Sequence, residues 1–418
     1  MRFSTLSEWL SWQEGLHPSE IELGLQRVSE VWSRLRPEGH RSTVVTVGGT
    51  NGKGSTVTLL ESMLRRAGYR VGSYTSPHLF RYNERIRIDG KDVGDEALCR
   101  SFERIDRARC TTSLTYFEFG TLAALDLFAE AQLDIVLLEV GLGGRLDAVN
   151  IIDADVAVVT SVDIDHIAWL GNDREQIGFE KAGIFRFGRA AVCGDSNPPQ
   201  RLLEHAEQIG AVLYRFGSEF GYECEDGGWR WWSDGQKLAD LPIPSLSGEC
   251  QLNNAAVALQ VLRLLNPRFM VERQAIAQGL EEASLPGRFQ RIPGAVEKLF
   301  DVAHNPHAAR QLAANLRASR GGGRTLAVVA MLDDKDVGGV ISALQDEVDH
   351  WYLAGLDVAR GLDRDALAQQ ANLSAQPFDS FNSLTGAMQA AEGESKEGDR
   401  IVVFGSFFTV AELLPQVI

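Results

Sequence analysis

The chain has 418 residues, of which 44% are hydrophobic and 23% are charged, and its formal net charge is −16. This length exceeds the roughly 250–300 residues at which one core stops growing, and the composition excludes a disordered protein, so we expect two globular domains. The negative charge argues against broad binding to nucleic acids or membranes, because both favour a basic protein surface.

The N-terminal segment has a polar, helix-like pattern in which Trp, Glu and His interrupt every apolar run. It predicts neither a signal peptide nor a transmembrane span. The five cysteines are scattered along the chain, and their spacing matches neither a zinc site nor a redox pair. Such cysteines fit a reducing compartment, and we expect a cytoplasmic protein.

The first clear unit is a strand, a glycine-rich loop, a helix and a second strand. The β-branched run Ser42–Val47 predicts a buried strand that ends at a glycine pair. Ser55–Ala67 has helical spacing of apolar residues, Gly68 is a stop signal, and a new strand is predicted near Val71. This order predicts a βαβ unit.

The same alternation continues beyond the first unit. Phe119–Ala131 is helix-like, and the apolar runs Leu133–Val140 and Asp155–Thr160 predict buried strands. Apolar strands that alternate with helices indicate a parallel sheet covered on both faces. The predicted fold class is therefore α/β, with a P-loop-type parallel sheet in the N-terminal domain.

Residues 210–245 break this pattern with short segments rich in Trp, Gly and Asp, which predict a small antiparallel β insertion. Helices are predicted at Asn253–Leu265 and Val271–Glu282. Further strands are predicted at Leu299–Val302, Thr325–Met331, Trp351–Ala354 and Arg400–Phe404. We therefore divide the chain into a larger N-terminal domain, residues 1–295, and a smaller Rossmann-like α/β domain, residues 296–418.

The segment VGGTNGKGS, Val47–Ser55, lies between a predicted strand and a predicted helix, as a phosphate-binding loop requires. Glycines let backbone amides converge on phosphate oxygens, and the helix N-terminus adds partial positive charge. Lys53 would reach the β- and γ-phosphates. Gly54 stands between Lys53 and Ser55, which disfavours an ordinary GTPase. The alternative is a glycine turn with a solvated lysine.

A series of motifs across both predicted domains resembles the folylpolyglutamate synthase and dihydrofolate synthase family of the Mur ligase superfamily. They are GGTNGKGS (48–55), SPHL (76–79), LTYFEFGT (114–121), LLEVGLGGRLDAVN (137–150), DIDHIAWLG (163–171), EKAGIF (180–185), PGRFQ (286–290), DVAHNPHA (301–308) and GSF (405–407). The resemblance implies an ATP-dependent, Mg²⁺-requiring ligase that joins L-glutamate to dihydropteroate and to reduced folates through an acyl phosphate. It also implies a monomer.

The resemblance implies that residues of both predicted domains bind ATP. In the first domain it assigns Asn254 and the loop residues Gly49, Thr50, Asn51, Gly52, Lys53, Gly54 and Ser55. It also assigns Arg288, which lies just before the predicted domain boundary, and Asp301 and His304 of the second domain. From the residue type alone, Arg288 would be interpreted as an interdomain salt bridge.

Glu139 lies at the end of a predicted strand, and Ser76 and His166 follow two others. Ligands of open α/β sheets bind at this edge. The resemblance assigns these residues and Lys181 to two Mg²⁺ ions, and it counts Lys53, His166 and Lys181 as catalytic. It further implies that Lys181 is carbamylated, which turns a cation into an anionic oxygen ligand. Without the family, His166 would be a loop or core histidine and Lys181 a surface lysine.

Three segments match family segments that bind the pterin-containing acid. Phe117 can stack on a flat heterocycle, and Asp147 can accept hydrogen bonds from pterin N–H groups. By residue type alone, Phe117 would be core packing. The matching residues are Ile21, Glu22, Leu23, Thr115, Tyr116, Phe117, Glu118, Arg145, Leu146, Asp147 and Ala148.

Other functions remain open from the sequence. A folylpolyglutamate synthase without the dihydropteroate activity is the nearest alternative. A Mur-type peptidoglycan ligase would share the loop and the chemistry but use a UDP-sugar acid; the motifs LTYFEFGT and GLGGRLD favour the folate substrate instead. A switch that only hydrolyses ATP is a third alternative, which the additional motifs disfavour.

Overall fold

The structure is a computed structural model that describes residues 2–225, 227–373 and 376–418. The chain forms two compact units: residues up to Ser245 with Leu252–Ala283, and Leu246–Gln251 with Ser284–Ile418. The second unit thus resumes at residue 284, whereas the sequence placed the boundary after residue 295. The reason is that Gln290–Ile292 pairs with Glu297–Phe300 in the sheet of the second unit.

The helices up to residue 283 are α1 (Leu6–Glu14), α2 (Gln26–Leu35), α3 (Lys53–Arg66), α4 (Asp95–Arg109), α5 (Tyr116–Ala131), α6 (Ile167–Leu170), α7 (Arg174–Ala182), α8 (Gln200–Gln208), α9 (Glu249–Leu265) and α10 (Arg273–Glu282). The strands of this part are β1 (Thr43–Gly48), β2 (Val71–Tyr74), β3 (Ile86–Ile88), β4 (Lys91–Asp92), β5 (Ile135–Glu139), β6 (Val156–Val159), β7 (Ala190–Cys193), β8 (Val212–Arg215), β9 (Phe220–Glu225), β10 (Gly228–Ser233) and β11 (Gln236–Leu241).

The first unit is built on an eight-stranded sheet with the order β4-β3-β2-β5-β1-β6-β7-β8. Strands β2 and β5 to β8 run parallel around β1, while β3 and β4 are antiparallel at one edge. Every residue of β1, β5 and β6 is buried, as expected for strands covered on both faces. The predicted α/β fold is confirmed.

The predicted insertion at 210–245 is only partly separate from this sheet. Strands β9, β10 and β11 form the expected small antiparallel sheet. Strand β8, however, pairs in parallel with β7 and extends the large sheet. The sequence prediction was therefore wrong for residues 212–215, and Asp226, within the predicted insertion, lies outside the described residues.

Helix α5 begins earlier than its apolar pattern predicts. The Thr115 hydroxyl accepts a hydrogen bond from the Glu118 N–H, and the Glu118 carboxylate accepts one from the Thr115 N–H. This reciprocal capping box fixes the helix start at Tyr116 rather than at Phe119. It also holds the motif LTYFEFGT at one end of a buried helix.

The second unit contains helices α11 (Pro306–Ala318), α12 (Val337–Leu344), α13 (Arg364–Ala371), α14 (Leu384–Glu394) and α15 (Phe407–Leu413), and strands β12 (Gln290–Ile292), β13 (Glu297–Phe300), β14 (Thr325–Val329), β15 (His350–Ala354), β16 (Phe378–Phe381) and β17 (Arg400–Phe404). Its six-stranded sheet has the order β12-β13-β17-β14-β15-β16. The sequence missed β16, which lies at the sheet edge and is only half buried. In the part of the chain that the structure describes, no helix is long and apolar enough to cross a membrane.

Candidate active site

The glycine-rich loop connects the end of β1 to the start of α3, in the centre of the large sheet. The Lys53 ammonium donates hydrogen bonds to the carbonyl oxygens of Gly49 (3.0 Å) and Thr50 (3.1 Å). Helix α3 begins at Lys53 itself, so the N-terminus of the helix adjoins this ammonium group. Both features favour an anion at this loop.

Two loop glycines are required by close contacts. Gly49 has a φ of 143°, and a Cβ there would lie 1.9 Å from the Thr160 hydroxyl oxygen. Gly52 has a φ of 86°, and its Cβ would lie 2.5 Å from the Asn254 side-chain oxygen. Both residues therefore must be glycine. The structure also brings Asn254, predicted for nucleotide contact, next to the loop.

The segment directly after β6 holds the loop from the other side, which the sequence did not predict. Thr160 Oγ1 donates to the Asn51 carbonyl (2.6 Å), and the Asn51 N–H donates to Ser161 Oγ (3.1 Å). The Thr50 N–H donates to the Ser161 carbonyl (2.7 Å). Thr50 Oγ1 donates to the Asp163 carbonyl (3.0 Å). The conformation of the phosphate loop therefore depends on residues 160–163.

A pocket that is partly open to solvent lies beside the loop. Lys53, His166 and Lys181, the three residues predicted as catalytic, all line it. His166 has a φ of 53° and precedes the single-turn helix α6. The other lining residues are Gly49, Thr50, Val140, Gly141, Leu142, Gly143, Asp165 and Leu170.

Lys181 is almost fully buried, with 4% of its surface exposed, and it is not the surface lysine that its residue type suggests. Burial lowers the pKa of Lys181 to about 7, and the positive charge of Lys53 acts in the same direction. Asp165 and Asp147 oppose this shift. A substantial fraction of this amine is therefore neutral near pH 7.

Ser76 and Glu139 lie together at the carboxyl ends of β2 and β5. The Ser76 N–H donates to the Glu139 carboxylate (3.2 Å), and Glu139 is 5% exposed. Among residues 2–225, 227–373 and 376–418, no group of three or more His, Cys, Asp or Glu side chains forms a complete metal site. This sparse donor set fits Mg²⁺, which keeps waters and uses one or two carboxylates plus substrate phosphates.

The three predicted acid-binding segments are far apart in sequence but connected in the fold. The Gly24 N–H donates to the Leu146 carbonyl (3.2 Å), which joins Ile21–Leu23 to the segment 145–148. Arg27 forms an ion pair with Glu22 and another with Glu118 (3.0 Å), which joins the first segment to residues 115–118. The sequence did not single out Arg27, because a lone arginine on a helix carries no motif.

Phe117 and Asp147 differ in what they offer a ligand. The partly exposed Phe117 ring lies against Gly141, where a Cβ would be 2.5 Å from it, and 5.9 Å from the Tyr74 ring centre. Asp147 is buried and accepts hydrogen bonds from the N–H groups of Leu142 (2.8 Å) and Val149 (3.0 Å). Burial raises the pKa of Asp147 to about 6. Its first role is therefore to hold its own loop.

Several other predicted acid-binding residues have internal partners. Arg145 forms a two-pronged ion pair with Glu180 of α7, with a shortest distance of 2.8 Å. Thr115 and Glu118 use their side chains for the capping box described above. Tyr116 packs on Tyr82 with ring centres 5.6 Å apart, and the Arg85 guanidinium lies 5.5 Å from its ring centre. Ala148 begins a short 3-10 helix.

The second unit brings its own predicted residues together at the end of β13. The Asp301 carboxylate accepts hydrogen bonds from the N–H groups of Phe289 and Ala303, both at 2.8 Å. The Arg288 guanidinium lies 5.1 Å from the Phe407 ring centre, and the His304 ring is 6.2 Å from the same ring. Arg288, Asp301 and His304 thus belong to one cluster with the motif GSF.

The sequence matches two Mur ligase family models. The Mur ligase middle domain matches residues 47–262, and the Mur ligase glutamate ligase domain matches residues 287–407. The chain is 48% identical to the dihydrofolate synthase/folylpolyglutamate synthase of Escherichia coli over 98% of this chain and 95% of that protein. It is 43% identical to the Haemophilus influenzae protein of the same name, over 98% and 97% of the two chains.

The comparison with solved structures agrees with the comparison of sequences. Escherichia coli FolC in complex with DHPP and ADP is 47% identical and superimposes with a TM-score of 0.94 over 99% of this chain and 98% of that one. A bifunctional folylpolyglutamate synthase/dihydrofolate synthase with Mn, AMPPNP and L-glutamate bound is 46% identical, with a TM-score of 0.91 over 99% and 98% of the two chains.

Proposed function

This chain belongs to the dihydrofolate synthase/folylpolyglutamate synthase family of Mur ligases, and from that premise we propose a role for each residue of the pocket. The chain is an ATP-dependent ligase that adds L-glutamate to dihydropteroate, which forms dihydrofolate, and to reduced folates. The observation that carries the assignment of roles is the meeting of Lys53, His166 and Lys181 in one pocket beside the phosphate loop.

A carboxylate is a poor electrophile, so the acid must be activated before an amine can attack it. The γ-phosphoryl group of ATP passes to the acid, and the resulting acyl phosphate reacts with the glutamate amine to release phosphate. Lys53 and the N-terminus of α3 stabilise the negative charge that develops on the phosphate oxygens. The protein therefore contributes to catalysis mainly by positioning the reactants and by stabilising negative charge.

The acid is proposed to lie along the connected segments 21–23, 115–118 and 145–148. Phe117 offers its partly exposed ring to the flat pterin. The Asp147 carboxylate keeps lone pairs beyond those used by Leu142 and Val149, so it can accept from a pterin N–H. Arg288, Asp301 and His304 are proposed to contact ATP as well.

We propose that the divalent metal is Mg²⁺ and that two ions bind through Ser76, Glu139, His166 and a carbamylated Lys181. These ions would neutralise phosphate charge during phosphoryl transfer. Lys181 suits carbamylation because its buried amine lines the pocket beside Lys53. The neutral amine attacks CO₂, a C–N bond forms, and the nitrogen loses one proton to leave an anionic carbamate. We further propose that the protein works as a monomer in the cytoplasm, with no nucleic-acid or membrane partner.

The proposed function is tested by phosphate release measured over a panel of substrates. We expect release that requires ATP, Mg²⁺, L-glutamate and either dihydropteroate or a reduced folate. Release without the acid or without glutamate would instead indicate a nucleotide switch. Release with reduced folates alone would restrict the enzyme to folylpolyglutamate synthesis, and release with UDP-sugar acids would indicate a peptidoglycan ligase.

We predict that Glu139→Gln and His166→Ala each raise the Mg²⁺ concentration for half-maximal activity by about 10-fold or more, because each removes a proposed ligand. The measurement is the initial rate over a Mg²⁺ titration at saturating ATP. Glu61→Gln is the matched control, since Glu61 is also a buried carboxylate but pairs with Ser73 and Arg87. Unchanged Mg²⁺ dependence in both test variants would move the metal site elsewhere.

We predict that Asp147→Ala lowers stability by about 1–3 kcal/mol, because two backbone N–H groups lose their partner. It should also lower kcat/KM for both acids, and more for dihydropteroate, which has no glutamate tail to hold it. Asp363→Ala is the control: this N-cap also accepts two backbone N–H groups, but in the second unit. Equal losses for the two acids would mean that Asp147 does not discriminate between them.

A further inference from the structure

A pair of side chains outside the pocket holds the segment that carries His166. The Val162 N–H donates to Asp195 Oδ2 (2.7 Å), and Arg174 Nε donates to the Val162 carbonyl (2.9 Å). Arg174 and Asp195 also contact each other at 3.4 Å. Both backbone polar groups of Val162 are thus bonded to this pair.

Val162 lies within the segment that shapes the phosphate loop. Its neighbours Ser161 and Asp163 make the hydrogen bonds to Thr50 and Asn51 described above. Val162 itself is buried and has 2% of its surface exposed. A displacement of Val162 would therefore move the residues that hold the loop.

The pair also connects three elements of the site. Arg174 is the first residue of α7, the same helix that carries Lys181 near its other end. Asp195 follows β7, and its other oxygen accepts from the Asn197 N–H (2.9 Å). The His166 segment, the Lys181 helix and the turn after β7 are therefore fixed to one another at Val162.

The turn after β7 is itself tightly placed. The Gly194 N–H donates to the Val159 carbonyl (2.8 Å), and Asn253 of α9 donates to the Gly194 carbonyl (3.0 Å). A Cβ at Gly194 would lie 2.8 Å from the Thr160 carbonyl oxygen. Asp195 therefore projects from a rigid support, as a positioning residue requires.

We propose that Asp195 and Arg174 are positioning residues, which hold residues 160–166 in the conformation that binds the nucleotide phosphates. Neither side chain lines the pocket. Their effect passes through the backbone of Val162 to Thr50, Asn51 and His166. This inference rests on the proposed function, because it assumes that the loop binds phosphates.

The test compares Asp195→Asn and Arg174→Gln with the control Asp155→Asn. Asp155 has the same kind of contacts at the opposite end of the sheet: its carboxylate accepts from the Val44 N–H (3.0 Å) and pairs with Arg189 (2.5 Å). A purely structural role would thus give similar changes at both ends. Arg174 is the second test position because its partly exposed side chain makes misfolding less of a risk.

The first measurement is the dissociation constant of ADP with Mg²⁺ by calorimetry, together with melting temperatures. We expect both test variants to weaken ADP binding by about 10-fold, since small misplacements of positioned groups have large effects. Asp155→Asn should stay within about 2-fold of the wild type. The double variant should lose no more than about the larger single loss, because the two residues act on one group.

Wild-type ADP affinity in both test variants would overturn the inference, and so would an equal loss in Asp155→Asn. The Lys53→Ala variant distinguishes a failure of the positioning role from a failure of the proposed function. Ligation by Lys53→Ala would reject the phosphate-loop assignment itself. An inactive Lys53→Ala with normal Asp195 and Arg174 variants would reject only the positioning role.

Discussion

Replacing Lys53 with alanine is expected to reduce kcat for glutamate ligation by about 10²–10³-fold, while the protein keeps its fold. Removal of a single preorganised charge-stabilising donor from an active site costs about this much. The Lys53 ammonium is bonded to the carbonyl oxygens of Gly49 and Thr50, so it is already held over the loop where phosphate oxygens would bind. The measurement is phosphate release with dihydropteroate, glutamate and saturating ATP.

Stability is expected to change little in Lys53→Ala, because the side chain is only partly buried and does not belong to the core. Lys91→Ala provides the control: it removes an exposed lysine from β4, at the sheet edge, and should leave kcat unchanged. Near-normal turnover by Lys53→Ala would reject the assignment of residues 48–55 as the phosphate loop. A large drop in melting temperature would show instead that the lysine stabilises the loop.

The sequence predicts the phosphate loop well because its determinants are local. Gly49 and Gly52 have positive φ values, and the strand and helix on either side have clear periodic patterns. The helix was predicted from Ser55 but begins at Lys53, because Gly52 in a left-handed conformation provides the N-cap. Glycines in a sequence indicate positions where the backbone needs conformations that other residues rarely adopt, so such a loop can be predicted from local sequence.

The partners of polar side chains could not be predicted in the same way. Thr160 and Ser161 bond to Asn51, more than a hundred residues earlier in the chain, and no periodicity reports such a contact. Asp147 and Arg145 were predicted to contact the acid because their segment resembles family segments that bind it. The fold uses their side chains for the backbone of their own loop and for Glu180. A polar residue type fixes its hydrogen-bonding capacity, whereas the tertiary structure selects its partner.

The boundary between the compact units also depends on tertiary contacts that the sequence pattern does not reveal. The motif PGRFQ ends at Gln290, the first residue of β12, and this three-residue strand has no apolar run that would predict it. Pairing of β12 with β13 assigns it to the second unit, and this pairing depends on register across a turn. The longer apolar strands β14, β15 and β17 were predicted with nearly their observed bounds, because burial on both faces leaves a continuous signal.

Lys181→Ala is expected to lower ligation by about 10²–10³-fold and to be partly rescued by short carboxylic acids such as acetate. The loss follows from removal of an anionic ligand of the metal, if the amine carries a carbamate. Lys181 is 4% exposed and lies beside Lys53, where a bare ammonium would face a like charge. A carbamate removes that conflict, because it replaces the positive charge with a negative one near Lys53.

Rescue of activity by acetate shows whether the substitution removed an anion or a cation. Lys53→Ala, which removes a cation, is the matched control. Acetate added to Lys181→Ala would place a carboxylate in the space that the side chain left, and the rate should rise with acetate concentration. The same acetate should not rescue Lys53→Ala, which lacks a cation. Rates are measured at constant ionic strength, with chloride as the control anion.

The dependence of the wild-type enzyme on CO₂ gives an independent measurement. Burial lowers the pKa of Lys181 to about 7, so the neutral amine that reacts with CO₂ is well populated at pH 7–8 and scarce below pH 6. We therefore expect activity to fall in CO₂-depleted buffer, to return on addition of bicarbonate, and to return more slowly at pH 6. Lys181→Ala should not respond to bicarbonate through this route. A wild-type rate that is independent of CO₂, together with no acetate rescue of Lys181→Ala, would show that Lys181 acts as an unmodified amine.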